Sequence, residues 1–331
     1  MNGFFHQKKV LVAGGTGTIG VPVVTRLLAL GSRVTVVSVD SPEYAKRVLP
    51  ADAQFRRLDL TLLDNCVHAV KGMDFVVNLV GIKGSVGIGQ KKVASYLVPM
   101  LWFQTNLMEA AFRERTERFL FVGSICEYPR METAKSEDVV WNGIPMQNDR
   151  IPGLAKRMGE IQAEAYLLEH GWDAVRIVRP SNVYGPFDDF NPASAQVIPA
   201  LIRRISDREN PLKVWGDGTA VRDFIYSEDL AEWILVAMKD APPIVPLNLG
   251  SGKGFSIREV VDAVRSRADY SPRVEWQPQG PTGDPVRILS IEKARQIIGF
   301  QPKTSLEDGI GKTMSWFASN RDLSLQKGSL Q

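Results

Sequence analysis

The chain has 331 residues, of which 44% are hydrophobic and 23% charged, a composition typical of soluble globular proteins. Forty basic and 37 acidic residues give a net charge of +3, too small and too dispersed to predict binding to nucleic acid. No apolar run approaches the ~18 residues that span a bilayer, and the first residues lack the apolar segment of a signal peptide, so we expect a cytoplasmic protein that does not bind membranes. The two cysteines and three histidines show neither a disulfide framework nor metal-ligand spacing.

The first half of the chain alternates short β-branched runs with longer helical patterns. The patterns predict strands at 9–15, 33–39, 75–81, 119–124 and 174–180, and helices at 20–31, 100–115 and 153–169. Strands that are joined by crossover helices form a parallel sheet with helices on both faces. The fold class is therefore predicted as α/β, with a doubly wound parallel sheet.

The chain becomes richer in turn formers after Pro180. Turn-forming residues dominate 184–192 (YGPFDDFNP) and 271–286, while helical patterns remain at 194–206, 227–239 and 256–267, with a strand-like segment at 246–250. We expect residues 181–331 to form mainly a smaller lobe over the carboxyl edge of the sheet, with some segments returning to the sheet.

A glycine-rich turn follows the first predicted strand and opens the next helix. This arrangement directs backbone N–H groups and a helix N-terminus at a pyrophosphate, and the missing Cβ atoms allow close approach. A tight turn without a ligand is the alternative. The pattern predicts a dinucleotide coenzyme at Gly14, Thr16, Gly17, Thr18, Ile19 and Gly20.

The choice of coenzyme depends on the end of the second strand, where an acid binds a ribose 2′-hydroxyl and a base binds a 2′-phosphate. Ser38 lies nearer the usual acidic position than Asp40, and Lys46 and Arg47 follow, so NADP is favoured over NAD. Asp59, followed by Leu60, lies where such folds contact adenine, although it could also be a solvated loop acid.

Three segments carry a resemblance to a known family: residues 123–129 (GSICEYP), 179–204 and 214–231. With them, the chain resembles the extended short-chain dehydrogenases/reductases, in the sugar-nucleotide epimerase/dehydratase group and especially its GDP-L-fucose synthase branch. The resemblance covers roughly residues 8–318. It implies a Rossmann-type NAD(P)-binding domain at 1–180, a substrate lobe at 181–331, and hydride transfer at a sugar carbon, usually C4.

The resemblance also implies roles for three side chains. Ser124 matches a hydroxyl that hydrogen-bonds the reacting oxygen, and Lys156 matches a lysine that binds the nicotinamide ribose and lowers the pKa of a phenol. Cys126 matches a cysteine that acts in epimerisation. A strand-end cap at Ser124 and a solvated lysine are the alternatives.

Two residues depart from the family pattern. Pro152 occupies the position of the tyrosine that carries the hydroxyl proton, and Gln196 occupies that of the histidine that acts with the cysteine. Tyr128 and Tyr184 belong to patterns in which tyrosine is mainly structural. Lys156 is a possible substitute acid, since desolvation lowers the pKa of an ammonium group.

The sugar-nucleotide end of the pattern is intact. Each of its basic residues alone could be a solvated charge, but together they match positions that hold a nucleoside-diphosphate sugar. These candidate substrate-binding residues are Asn182, Arg204, Trp215, Arg222 and Arg287.

The family also pairs two helices across a dimer, at 100–115 and 153–169. The first is unusually apolar here, which favours a homodimer over ordinary core packing. For function, we expect an NAD(P)-dependent oxidoreductase or epimerase of a nucleoside-diphosphate sugar, with a GDP-linked 4-keto sugar favoured. A catalytically impaired protein that binds coenzyme and sugar nucleotide, or an atypical dehydratase, are the alternatives.

Overall fold

The computed structural model describes residues 1–82, 93–280 and 283–325. The strands of the described residues are β1 Lys9–Ala13, β2 Arg33–Ser38, β3 Gln54–Arg57, β4 Phe75–Asn78, β5 Arg118–Val122, β6 Val175–Pro180, β7 Asn182–Tyr184, β8 Leu212–Trp215, β9 Val221–Arg222, β10 Phe224–Tyr226, β11 Pro246–Leu249, β12 Phe255–Ser256, β13 Val274–Gln277 and β14 Val286–Arg287.

Their helices are α1 Asn2–Phe5, α2 Gly20–Ala29, α3 Pro42–Val48, α4 Leu63–Val70, α5 Val93–Arg113, α6 Arg150–His170, α7 Val197–Ser206, α8 Ser227–Asp240, α9 Ile257–Arg265, α10 Glu292–Ile298, α11 Leu306–Ser319 and α12 Arg321–Leu325. Short 3₁₀ turns occur at Ile125–Glu127 and Glu137–Trp141. None of the helices in the described ranges is long and apolar enough to cross a membrane.

Seven parallel strands form the central sheet in the order β11-β6-β5-β4-β1-β2-β3. The chain runs outward from β1 to β3 and then returns to β4 on the other side of β1, so the strand order reverses between β1 and β4. In open α/β sheets, ligands bind at the carboxyl ends of the strands beside such a reversal. The predicted α/β fold class is confirmed.

Strand residues point alternately to two cores, which explains the continuous apolar runs. Val10 and Val12 pack with α2 and α8 on one face, whereas Leu11 and Ala13 pack with α4, α5 and α6 on the other. Because α8 and β11 come from the second half of the chain, that half contributes to the sheet layer. A separate core joins α7, α9 and α11 in the remaining part of the second half.

The structure differs from the sequence prediction at several elements. Helix α5 begins seven residues before position 100, although Pro99 lies inside it, and α6 begins at Arg150 rather than 153. Edge strand β3 has no apolar pattern and was not predicted, and the turn-rich segment 271–286 contains β13 and the start of β14. Edge and short strands bury little surface, so they leave a weak periodicity in the sequence.

Helix α6 lies unusually close to the segment after β5. A Cβ on Gly153 would be 2.2 Å from the carbonyl oxygen of Cys126, and a Cβ on Gly159 would be 2.3 Å from the ring of Phe121. Glycine at both positions therefore allows the helix backbone to approach the sheet.

We predict that Gly153→Ala lowers the free energy of unfolding by about 1–3 kcal/mol, because the new methyl group overpacks against a backbone oxygen. Gly311→Ala, in α11, is the matched control: its Cβ would meet only the end of the flexible Arg267 side chain. This control should gain up to ~1 kcal/mol from helix propensity. Urea unfolding measures both. Equal midpoints for the two variants would contradict the close approach.

Candidate functional site

The glycine-rich turn passes close to the end of β4. Gly14 has φ +78°, and a Cβ there would lie 3.0 Å from the carbonyl carbon of Leu79. A Cβ on Gly20 would lie 2.4 Å from the carbonyl oxygen of Gly14, so the turn leads directly into α2. The turn thus leaves the N-terminus of α2 at the strand reversal, which fits a pyrophosphate.

The other residues predicted for this turn, Thr16, Gly17, Thr18 and Ile19, all lie between β1 and α2. Gly17 donates a backbone hydrogen bond to the Gly14 carbonyl at 3.3 Å. The Thr18 hydroxyl donates to the Asp188 carboxylate at 3.1 Å, and so links the turn to the segment after β7.

An acidic group lies beside Ser38 at the end of β2. The Ser38 hydroxyl donates to the Asp40 carboxylate at 2.8 Å, and the Thr16 hydroxyl donates to the same oxygen at 2.5 Å. The turn and the end of β2 therefore share one carboxylate.

Asp59 and Leu60 follow β3 and have different surroundings. Asp59 is exposed and accepts hydrogen bonds from the backbone N–H and the hydroxyl of Thr61, at 2.9 and 2.8 Å. The Leu60 side chain is buried in the core beside α4. Only the backbone of Leu60 could therefore contact a ligand.

Ser124 begins a 3₁₀ turn directly after β5. Its hydroxyl accepts a hydrogen bond from the Cys126 N–H at 3.1 Å, and its own N–H donates to the Glu127 carboxylate at 2.6 Å. Ser124 therefore caps the turn, as the strand-end alternative predicts. It also lies at the carboxyl edge of the sheet.

Behind this turn, a buried arginine connects two acids. The Arg179 guanidinium donates to both carboxylate oxygens of Glu160, at 2.8 and 2.6 Å, and lies 3.3 Å from Glu127. Burial and the neighbouring Glu160 raise the pKa of Glu127 well above its usual range. Because removal of one partner from such a buried pair costs about 3–5 kcal/mol, the cluster ties α6 firmly to the turn.

Lys156 lies on α6, one turn after Pro152, and is almost fully buried. Its ammonium group lies 5.2 Å from the centre of the Phe121 ring. Burial lowers the pKa of Lys156 to about 8, although Glu127 and Cys126 oppose the shift. A lysine with this pKa can both carry a positive charge and give up a proton near neutral pH.

Cys126 contacts two charged side chains. Its thiol donates to the Asp149 carboxylate at 3.4 Å, and the Arg287 guanidinium donates to the sulfur at 3.5 Å. Arg287 also pairs with Asp149 at 2.8 Å. Burial lowers the pKa of Arg287, but Cys126 and Asp149 outweigh it and the net shift is upward.

Further charges surround this group. The Arg222 guanidinium donates to the backbone carbonyl of Asp284 at 2.6 Å, and burial, with help from Arg287, lowers the pKa of Arg222 to about 10. Buried Lys135 and Asp284 lie close enough to shift one another's pKa. Such a concentration of cations suits a polyanionic ligand.

The structure brings the other predicted substrate residues together only in part. The Asn182 amide donates to the Asp223 carbonyl at 2.7 Å, and Trp215 lies largely exposed at the end of β8. Arg204 pairs with Glu209 at 2.7 Å and donates to the Lys213 carbonyl, so its hydrogen bonds are directed within its own lobe.

The position of the missing phenol lies in the first turn of α6. Proline fits there because the first backbone N–H groups of a helix have no intrahelical acceptor. Tyr128 and Tyr184 are buried, and their hydroxyls donate to Asn248 and to the Leu306 carbonyl. Burial raises the pKa of both, so neither is suited to exchange protons at neutral pH.

Asp149 is the main residue that the sequence analysis missed. It lies 23 residues from Cys126 and directly before α6, where an acid is ordinarily interpreted as a helix cap. Its side chain makes no capping hydrogen bond here. Within the described ranges, no group of three or more His, Cys, Asp or Glu side chains could hold a metal ion.

Comparison with known proteins identifies the family of the chain. Residues 10–250 match the model of the NAD dependent epimerase/dehydratase family. A GDP-L-fucose synthase from Sinorhizobium fredii is 30% identical over 320 residues, which cover 95% of this chain and 96% of the relative. A probable GDP-L-fucose synthase from Oryza sativa subsp. japonica is 28% identical over 318 residues, which cover 94% of this chain and 92% of the relative.

Solved structures share the fold. An epimerase from Methanothermobacter thermautotrophicus has a TM-score of 0.87 at 21% identity, and the alignment covers 98% of this chain and 96% of the epimerase chain. A Thermus thermophilus UDP-glucose 4-epimerase in complex with NAD has a TM-score of 0.80 at 25% identity, with coverages of 94% and 99%. A Naegleria fowleri GDP-L-fucose synthetase bound to NADP has a TM-score of 0.80 at 21% identity, with coverages of 97% and 97%.

The family match extends over more than half of the chain. The resemblance predicted from the sequence is thereby confirmed, as is a nicotinamide dinucleotide as the class of coenzyme. The chain belongs to the NAD-dependent epimerase/dehydratase family and is related to the GDP-L-fucose synthases.

Proposed function

We propose that the protein is an NAD(P)-dependent oxidoreductase or epimerase of a nucleoside-diphosphate sugar, with a GDP-linked 4-keto sugar as the favoured substrate. Residues 1–180 hold the coenzyme, and residues 181–331 mainly hold the substrate. The observation that carries this proposal is the convergence of Ser124, Cys126, Lys156, Arg222 and Arg287 at the carboxyl edge of the sheet, the edge at which the glycine-rich turn follows β1.

Different residues of the chain bind the coenzyme and the substrate. The turn at 14–20 holds the coenzyme pyrophosphate, and Lys156 holds the nicotinamide ribose. When bound, the coenzyme supplies or accepts a hydride at C4 of the sugar. Ser124 donates a hydrogen bond to the C4 oxygen, while Arg222 and Arg287 bind the diphosphate. Arg204 would need to exchange Glu209 for the ligand, so we give it a smaller role.

The principal test is hydride exchange. Released coenzyme is identified, and GDP-4-keto-6-deoxymannose is incubated with deuterium-labelled NADH or NADPH and followed by mass spectrometry. Lys156→Met should lower turnover at least ~100-fold, the usual contribution of a proton-handling group, because it removes the ammonium group. The exposed Lys71→Met is the matched control and should leave turnover unchanged.

Pro152 gives the competing function a specific basis, since the usual proton carrier is missing. If the wild type binds coenzyme and GDP-sugar but transfers no hydride, and Pro152→Tyr creates turnover, then the protein is a binding protein and the enzymatic proposal is wrong.

We infer a preference for NAD over NADP, although Ser38, Lys46 and Arg47 favour NADP in the sequence. The Asp40 carboxylate joins Ser38 and Thr16, and it would repel a 2′-phosphate while accepting from a 2′-hydroxyl. Binding titrations should show that NADH binds at least about tenfold more tightly than NADPH, since like charges in contact cost several kcal/mol. Asp40→Asn should remove most of this difference, and the distant, exposed Asp52→Asn should retain it. Tighter binding of NADPH by the wild type would contradict the assignment.

We also propose a homodimer through α5 and α6. Exposed apolar residues line one face of α6 at spacings of three, four and seven residues, with Trp102 on the neighbouring α5; they are Leu154, Met158, Ile161 and Leu168.

Light scattering after gel filtration tests the dimer. Ile161→Glu should yield a monomer, because it places a charge in the apolar stripe. Ile297→Glu on α10 is a matched control, since both isoleucines are 38% exposed on helices. A monomeric wild type, or a dimeric Ile161→Glu variant, would argue against this interface.

A further inference from the structure

Gln196 occupies the position of the histidine that acts with the cysteine in the resembled pattern, so the partner of the Cys126 thiol in proton transfer is missing at that position. Cys126 lies within the turn that Ser124 caps, and burial raises the pKa of its thiol to about 11. At neutral pH the thiol therefore stays protonated, and it needs a base before it can accept a proton from carbon.

Asp149 occupies the place that such a base requires. One carboxylate oxygen, Oδ1, accepts from the Cys126 thiol at 3.4 Å, while the other, Oδ2, pairs with Arg287 at 2.8 Å. Because the two oxygens have different partners, the carboxylate is held with Oδ1 directed at the sulfur. The Asp149 side chain is 18% exposed, so it is neither sealed in the core nor freely solvated.

The surroundings of the thiol come from three parts of the chain. Asp149 and Lys156 face Cys126 from α6 and its start, Arg287 faces it from β14, and the Ser124 hydroxyl contacts the same turn. Asp149 is the only anionic group among these four, and so it is the member suited to accept a proton.

We propose that Asp149 is the proton acceptor of the Cys126 thiol, and that the pair takes a proton from a sugar carbon adjacent to a keto group. This inference rests on the proposed function. Such a carbon is acidified by its carbonyl, so the chemistry requires no oxidant or reductant.

The step balances in protons and charge. The Asp149 carboxylate accepts the thiol proton while sulfur accepts the proton of the C–H bond, whose electron pair forms the enolate. The thiol is restored, Asp149 becomes neutral, and the negative charge passes to the enolate oxygen, near the cations Lys156 and Arg222. The reverse step returns a proton to carbon.

The alternative is a structural ion pair in which Asp149 only anchors Arg287. The two roles predict different behaviour of the thiol. Asp149 raises the pKa of Cys126, so loss of its charge should increase the thiolate fraction. If the thiolate alone were the base, the Asp149→Asn variant would exchange carbon-bound protons faster than the wild type. If Asp149 is the proton acceptor, the rate of this exchange must fall in the variant.

The experiment uses two readouts on the full-length protein. Deuterium uptake from D2O into GDP-4-keto-6-deoxymannose, without coenzyme turnover, measures exchange by mass spectrometry. Iodoacetamide alkylation at pH 7.5 measures the Cys126 thiolate, with Cys126→Ala as the blank, since Cys66 is fully buried. We expect Asp149→Asn to lower exchange at least ~100-fold while alkylation becomes faster.

Two further variants complete the design. Asp149→Glu retains a carboxylate and should recover part of the exchange, which excludes a general loss of folding as the cause. Asp138→Asn makes the same chemical change at an exposed site that pairs with Lys293, and it should match the wild type in both readouts.

Several outcomes would overturn the inference. Exchange in Asp149→Asn at or above the wild-type rate would show that Asp149 is not the acceptor. Hydride transfer by the wild type without deuterium uptake would contradict the inference and leave the proposed function intact. Failure to bind or convert any GDP-sugar would contradict both.

Discussion

The close approach of α6 to the segment after β5 is the constraint on which the candidate site depends. Gly153 and Gly159 remove the side chains that would otherwise separate the helix from the Cys126 carbonyl and the Phe121 ring. Buried Arg179 then links Glu160 on the helix to Glu127 in the turn. Because the two segments are held this closely, Asp149 and Lys156 both come within electrostatic range of Cys126.

This packing also determines the electrostatics of the site. Lys156 is buried and Cys126 is half-buried between the helix and the turn, and desolvation disfavours the charged form of each: the pKa of the lysine falls to about 8 and that of the thiol rises to about 11. Arg287 contacts the thiol, Arg222 lies near Arg287, and both retain positive charge. The site therefore combines a neutral thiol, and a lysine that is mostly protonated at neutral pH, with arginines that can neutralise an anionic ligand.

The sequence predicts the sheet layer well because its strands are buried on both faces and its helices have strong periodicity. Through long motifs, it also singles out Ser124, Cys126 and Lys156 as candidates. It does not reveal that Arg204 is paired with Glu209, or that Asp40 lies against Ser38, because either acid could equally face solvent. The contact between Asp149 and Cys126 depends on how closely α6 packs, and a glycine in a helical pattern does not disclose what lies opposite it.

The first turn of α6 has a further consequence for how the reaction could be altered. Residues 150–152 come before the first internal hydrogen bond of the helix, which joins the Gly153 N–H to the Asp149 carbonyl, so proline is accommodated at 152 without loss of such a bond. The scaffold that aligns the helix lies elsewhere, in Gly153, Gly159 and the arginine cluster behind the turn. The residue at position 152 is therefore largely uncoupled from the stability of the fold, so a substitution there should leave the packing of α6 on the sheet intact.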